Sequence, residues 1–474
     1  TQACLKGGGL NSARPLPQVF GRLTCENPLV WSGKDSALAS IFGQLVGKMK
    51  SNKNVDGPAD AGMTFFGQFV DHDVTLDATS AIGAAIDPRT IRNIRTPSLD
   101  LDCVYGDGPE ASPHLYGELE GHEGYLLFGR KSSHLDLARN DKGTALIGDP
   151  RNDENIFVSQ VQGAFICLHN ILLYQVHTKT SLGKAVMDYA KSATSDDVWS
   201  EQVTPEMSPF EMTRLFIRHH YQWLVINDYL PAFVDQAAIN AAFYADLFGA
   251  TPPIMPVEFS GAAYRFGHAT VQQSYKLKAK GGQKDLFAKP GFERRGPEWD
   301  LDLGLFFGSK AQKARPVGLS VAEDLFELPF VGSGITFPDG TSIKTKDAKI
   351  LPLRNILRDR FALHIASGQQ VAELLNMKPV PVPKILADKK ITKTPLWFYC
   401  LQEAEVSKLG KLTGVGGRIV SSVFRNILTQ DRNSYFYLPN FAPHPGFESL
   451  ASLMAFVEQE RGTLPHPEEL HSGS

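Results

Sequence analysis

Apolar and polar positions recur along this chain with a helical period in several well-separated segments, and with a strand period almost nowhere. Residues 63–76 are the most informative. Phe65, Phe66, Phe69, Val70, Val74 and Leu76 cover much of a helical surface, which predicts a largely buried helix. Residues 156–178 and 209–230 are also apolar at helical spacing. The second opens after Ser208 with Pro209 in its first turn and is expected to stop before Pro231. Further helices are predicted at 37–49, 320–328, 352–364, 368–376, 396–407, 413–430 and 446–461. Between them lie a polar loop at 77–99, the stretch Asp100–Gly106, an irregular tract from there to about 145, and a Gly/Pro-rich stretch at 250–315. β signals are short and no internal repeat is present, so the expected fold is mainly α, a helical core with long loops and little β. The expected organisation is an N-terminal arm at 1–54, one main domain at 55–462 and a tail at 463–474.

The helix at 63–76 also carries reactive groups. Gln68 and His72 stand four residues apart, so amide and imidazole share one face. Asp71 and Asp73 flank the histidine, but neighbouring helical positions point about 100° apart, so both cannot face what His72 faces. Each therefore needs its own partner, a cation, a metal or a covalent bond, because carboxylates are almost never buried alone.

Four other stretches hold candidate chemistry. Gly148-Asp-Pro-Arg-Asn-Asp-Glu154 reads as a turn entering a helix, with Arg151 and Glu154 three apart; on spacing alone, capping and a local ion pair explain it. In Tyr264-Arg-Phe-Gly-His268 the glycine before the histidine suits close approach of backbone to a flat ligand, although a lone histidine is more often a hydrogen-bonded core residue. Thr96, Ser98, Asp100 and Asp102 could converge with Asp73 on one hard cation, calcium rather than zinc, since every donor is oxygen. A capped polar turn is the competing explanation. Leu353-Arg-Asn-Ile-Leu-Arg-Asp-Arg360, taken alone, is a solvated helical face.

Composition narrows the partners. A net charge of −3 and a pI near 6.5 supply no basic footprint for nucleic acid or anionic lipid. No run of eighteen apolar residues occurs, so no transmembrane segment is expected, and the first residues lack a charged-then-apolar leader, a silence that a cleaved leader would also leave. The compartment stays open, with secretion favoured over the cytoplasm. Five cysteines without CxxC or CxxCH spacing argue against zinc and c-type haem attachment; Cys4 and Cys25 could pair across the arm or be reduced structural thiols.

Taken in order, Gly67-Gln-Phe-Val-Asp-His-Asp73, the Thr-x-Ser-x-Asp-x-Asp loop ending Val104-Tyr-Gly106, Gly148-Asp-x-Arg-x-x-Glu154, Tyr264-Arg-Phe-Gly-His268 and Arg354-Asn355 resemble the animal haem peroxidase superfamily, of myeloperoxidase and peroxinectin type. The resemblance runs from about 55 to 460. Ala366-Ser-Gly-Gln369 and Gly414-Val-Gly-Gly-Arg-Ile-Val420 look like its bacterial branch. The resemblance implies a haem b derivative bound between His72 as distal histidine, with Gln68 beside it, and His268 as proximal iron ligand, with Asn355 on that ligand's second nitrogen. It makes Arg151 the distal arginine, and puts Asp71 and Glu154 where the family forms ester bonds to haem. Asp73, Thr96, Ser98, Asp100 and Asp102 match the family's calcium site, and Arg358 a propionate partner, with Arg265 assisting. The implied activity is reduction of hydrogen peroxide through a high-valent iron-oxo intermediate, with oxidation of small organic donors or of halides and thiocyanate.

Three departures qualify it. Asn155 stands where the mammalian myeloperoxidase has a haem-linked methionine, so no sulfonium bond is expected and the most oxidising halide chemistry is disfavoured. Arg358-Asp-Arg-Phe361 replaces a longer Arg-Asp-His-Gly pattern, and the cysteines are too few for the cross-linked mammalian enzymes. Haem-dependent fatty-acid dioxygenases of the superfamily need a tyrosine three residues before the proximal histidine. Here that position is Arg265, with Tyr264 one place further back, so peroxidase ranks above dioxygenase. An adhesive role of peroxinectin type is disfavoured, since no RGD or KGD triplet occurs.

Overall fold

The computed structural model describes residues 18–24, 34–75, 92–93, 97–130, 133–195, 207–248, 255–336, 340 and 342–464. Leu76, Thr96, Cys4 and Cys25 lie outside the described residues. The chain is 52% helical and 10% strand, in agreement with the mainly-α expectation. The longer helices are α1 Asp35–Gly47, α2 Ala61–Val74, α3 Ile156–His177, α4 Ser181–Ser195, α5 Pro209–Leu224, α6 Gln236–Tyr244, α7 Leu351–Leu357, α8 Gly368–Leu374, α9 Leu396–Ser407, α10 Gly414–Gln430 and α11 Leu450–Glu460. The sheets are two-stranded, mostly antiparallel pairs. Two hairpins, Tyr116–Leu119 with His122–Leu126 and Phe128–Arg130 with Ser133–Leu137, occupy the tract expected to be irregular.

α3 is the central post. It packs against α2, α4 and α5 and against the second hairpin. It is long and apolar enough to cross a membrane, yet it is buried in the protein, as a core helix would be. Asn155 caps it by accepting from Phe157 and Val158 N–H. α2 lies on α3 through stacked rings: Phe66 and Phe69 face Phe165, and both meet Tyr221 of α5 edge-on. α10 begins where Val415 and Gly416 donate to Glu403 of α9, so the Gly414-Val-Gly-Gly motif is a capped helix start.

Two expectations fail locally. The helix from Pro209 does not stop before Pro231. A wide π turn at Val225–Tyr229 carries it into Leu230–Phe233, where Pro231 sits in a first turn and needs no donor. Residues 320–328 are not an α-helix; Val321–Ala322 pairs with Lys50–Ser51 and a 3-10 turn follows at Glu323–Phe326. The helices Ser181–Ser195 and Gln236–Tyr244 went unpredicted.

Phe66 is fully buried at the α2–α3–α5 junction. Phe66→Ala is expected to lower the unfolding free energy by about 3–5 kcal/mol in chemical denaturation; an unchanged midpoint would contradict this packing.

Candidate active site

α2, the turn after Asp149, the segment 255–271 and α7 converge on a cavity of about 440 Å³. Gln68, Asp71, His72, Arg151, Glu154, Arg265, His268, Asn355 and Arg358 all line it, from four separate stretches of chain, and Arg354 joins them. The remaining wall is largely apolar, with Phe65, Phe233, Val257, Val271, Leu286 and Phe287 among its side chains. Gly267 also faces it, and a Cβ there would meet nothing within 4 Å, so the backbone before His268 borders open space.

On the α2 side, His72 is nearly buried and its Nδ1 lies 2.7 Å from Asn152 Oδ1. Gln68 is clamped by Glu154, to which its Nε2 donates, and by Asn155, whose Nδ2 donates to Gln68 Oε1 at 3.1 Å. Arg151 is held by Asp149, which accepts from Nε at 3.1 Å and from Nη2 at 2.9 Å; Nη2 also reaches the carbonyls of His72 and Thr75. Asp149 is fully buried, and neither it nor Asn152 was singled out from the sequence. The only available signal for Asp149 is its place two residues before Arg151 in an Asp-Pro turn, where it caps the turn by accepting from Arg151 N–H.

The two carboxylates of α2 do part company. Asp71 turns to the cavity, where burial raises its pKa against the lowering effect of Arg265 and Arg151. Glu154 opens onto the same cavity while the fold encloses it, and burial pushes it up to about 7. Asp73 turns the other way. Its Oδ2 accepts from Tyr221 at 3.0 Å and Leu101 N–H at 3.2 Å, its buried Oδ1 has no hydrogen-bond partner among the described residues, and burial with Asp100 and Asp102 nearby raises its pKa well above the ordinary value. Ligand oxygens of Asp73, Asp100 and Asp102 lie within 4.8 Å of one another, an arrangement whose mutual repulsion a divalent cation would relieve. Ser98 is buried nearby with its hydroxyl 3.4 Å from Arg218, and Arg218 is the cation that lowers Asp100 most.

Opposite α2, His268 sits in a 3-10 segment, Ala263–Ala269, with its pKa lowered to about 3 by burial and by Arg265 and Arg358, so it is neutral and able to ligate a metal. The side-chain amide of Asn355 lies 2.9 Å from His268 Nδ1. With its oxygen toward the ring, that amide accepts from Nδ1–H and leaves the lone pair on Nε2, the form that can ligate a metal. Arg265 Nε donates to Ser260 O at 2.9 Å, and Tyr264 donates its hydroxyl to Gly67 O of α2 at 3.2 Å.

The donor set fits a haem: imidazoles from α2 and from 263–269 on one cavity, an apolar wall, open backbone at Gly267, and arginines for propionates.

Comparison with known proteins agrees with the motif resemblance. Residues 79–290 match the family model "Animal haem peroxidase". Peroxidase A from Dictyostelium discoideum has a similar structure, with a TM-score of 0.58 and 12% identity, over 96% of each chain. Fatty acid alpha-dioxygenase from Arabidopsis thaliana is similar at a TM-score of 0.59 and 16% identity, over 97% of this chain and 80% of that one. The Oryza sativa fatty acid alpha-dioxygenase gives 0.55 and 17%, over 95% and 80%. No curated protein matches the sequence.

Glu154 yields a pH prediction for the ligand-free protein. Its folded pKa of about 7 exceeds the ordinary 4.5, so the folded state holds a proton that the unfolded state has lost, and stability falls as pH rises between those values. Glu154→Gln removes that penalty. It should raise the thermal midpoint above pH 7 and leave it unchanged near pH 4; equal effects at both would contradict the assignment.

Proposed function

We propose, on the premise of the animal haem peroxidase superfamily, that this chain is a haem enzyme that reduces hydrogen peroxide and oxidises small organic donors or halides and thiocyanate. The observation that carries the reading is His72 with Arg151 on the same cavity as His268. The bound haem would supply the oxidising equivalents, with His268 as its iron ligand, Asn355 orienting that ring, and Arg358 and Arg265 meeting its propionates. Asp71 and Glu154 face the cavity where ester bonds to the macrocycle would form.

The rest is done by the chain's own groups. Cleavage of an O–O bond needs one proton taken from the inner oxygen and returned to the outer one. His72, with Nδ1 engaged by Asn152, can carry that proton on Nε2. Arg151 always carries its charge, and with Asp149 fixing its plane it can stabilise negative charge on the departing oxygen. Gln68, locked between Glu154 and Asn155, orders the neighbouring space. Calcium at Asp73, Asp100 and Asp102, with Ser98 and Thr96 assisting, would tie α2 to the following loop.

A second reading, fatty-acid dioxygenase, is favoured by one observation: Tyr264 lines the same cavity. Its O–H is held on the carbonyl of Gly67, and Arg265 occupies the position three before His268, which supports the peroxidase reading.

Purified holoprotein should show a Soret band and oxidise a phenolic dye with peroxide, and His72→Ala should cut that rate about 10²- to 10⁴-fold while keeping the band. His268→Ala should lose the band. Oxygen uptake with linoleate or palmitate, abolished by Tyr264→Phe and unaccompanied by dye oxidation, would reverse the ranking. Acid–acetone should leave haem on the protein; free haem in the solvent contradicts the ester bonds. Chelator should lower the thermal midpoint of the wild type and not that of Asp73→Asn, and an equal response in both would remove calcium from the account.

A further inference from the structure

We propose that Asn152 and Gln162 are positioning residues that fix the tautomer of His72, through a directional chain of amide hydrogen bonds anchored on the main-chain carbonyl of Cys103. The inference rests on the reading of His72 as proton carrier and extends it by naming what decides which nitrogen is bare.

The direction is forced from one end. A carbonyl only accepts, so Gln162 presents its amide nitrogen to Cys103 O, at 3.3 Å. That turns Gln162 Oε1 toward Asn152, which answers with its own amide nitrogen at 2.8 Å. What remains to face the histidine is Asn152 Oδ1, 2.7 Å from Nδ1. An amide oxygen cannot donate, so Nδ1 carries the proton and Nε2 the lone pair. Asn152 and Gln162 are fully buried, and neither lines the cavity, so whatever they contribute passes through His72. Water cannot substitute readily for a missing link in so enclosed a chain.

Three segments meet here: the 3-10 turn Pro150–Asp153, α3, and the residue after Asp102. Gly148 makes the meeting tight, since a Cβ there would stand 2.3 Å from Asp102 O and 2.7 Å from Cys103 O. The hydrogen-bond path from the proton-carrying ring thus ends on the residue that follows Asp102 of the acidic cluster.

The test compares haem-loaded wild type, Asn152→Leu, Asn152→Asp, Gln162→Leu and the Asn152→Asp/Gln162→Leu double variant, with Soret absorbance per protein as the check on folding. Asn152→Leu should lower the stopped-flow rate constant for peroxide about ten- to a hundred-fold, with the KM for the donor unchanged. Asn152→Asp should restore most of it, because a carboxylate oxygen accepts from Nδ1–H as an amide oxygen does. Gln162→Leu should slow the otherwise wild-type protein and have no effect on Asn152→Asp, since a carboxylate offers an oxygen whichever way it lies. Neutron diffraction of the wild type should find a deuteron on Nδ1 of His72. Wild-type rates in Asn152→Leu, independent losses in the double variant, or a deuteron on Nε2 with Nδ1 bare would overturn the relay. A wild type that binds no haem or ignores peroxide would instead remove the functional reading, and the neutron result would then decide the relay alone.

Discussion

The structure turns on a constraint of charge: α2 carries two carboxyl groups and an imidazole in three consecutive positions, His72 and Asp73 buried and Asp71 facing the cavity, and none can be left uncompensated in a low-dielectric interior. The helical period sends them in different directions, and the surroundings are built to receive each. Asp71 meets the cavity and its arginines, His72 meets an amide chain, and Asp73 meets Tyr221 and two more carboxylates. Aromatic stacking against α3 and α5 then holds the helix at the one rotation that satisfies all three.

Much of this was legible because periodicity is local. The pairing of Gln68 with His72 on one face, the separation of Asp71 from Asp73, and the capping of the Asp149 turn all follow from spacing within one helix or turn. The family resemblance assembled distant motifs, and the cavity brings together every residue those motifs named for the haem. Two amides were invisible. Asn152 and Gln162 lie in different elements ten positions apart, and nothing in their neighbours marks them, since their role exists only once Cys103 O is placed beside them. Pro231 misled for a related reason: its expected stop assumed regular α geometry, while the π turn before it resets the hydrogen-bond pattern.

The same economy recurs on the opposite wall. His268 is kept neutral by enclosure and by two arginines, the state a metal ligand requires, and Gly267 keeps the approach to it open. On the proposed reading, the arginines that disfavour an imidazolium would also meet anionic groups at the rim of the macrocycle.

Anomalous diffraction at the iron edge, on protein produced with hemin, addresses the core of the account. It should give one iron peak in this cavity, bonded to the His268 ring and with His72 across from it. No iron in the cavity, or iron bound away from His268, would contradict the account.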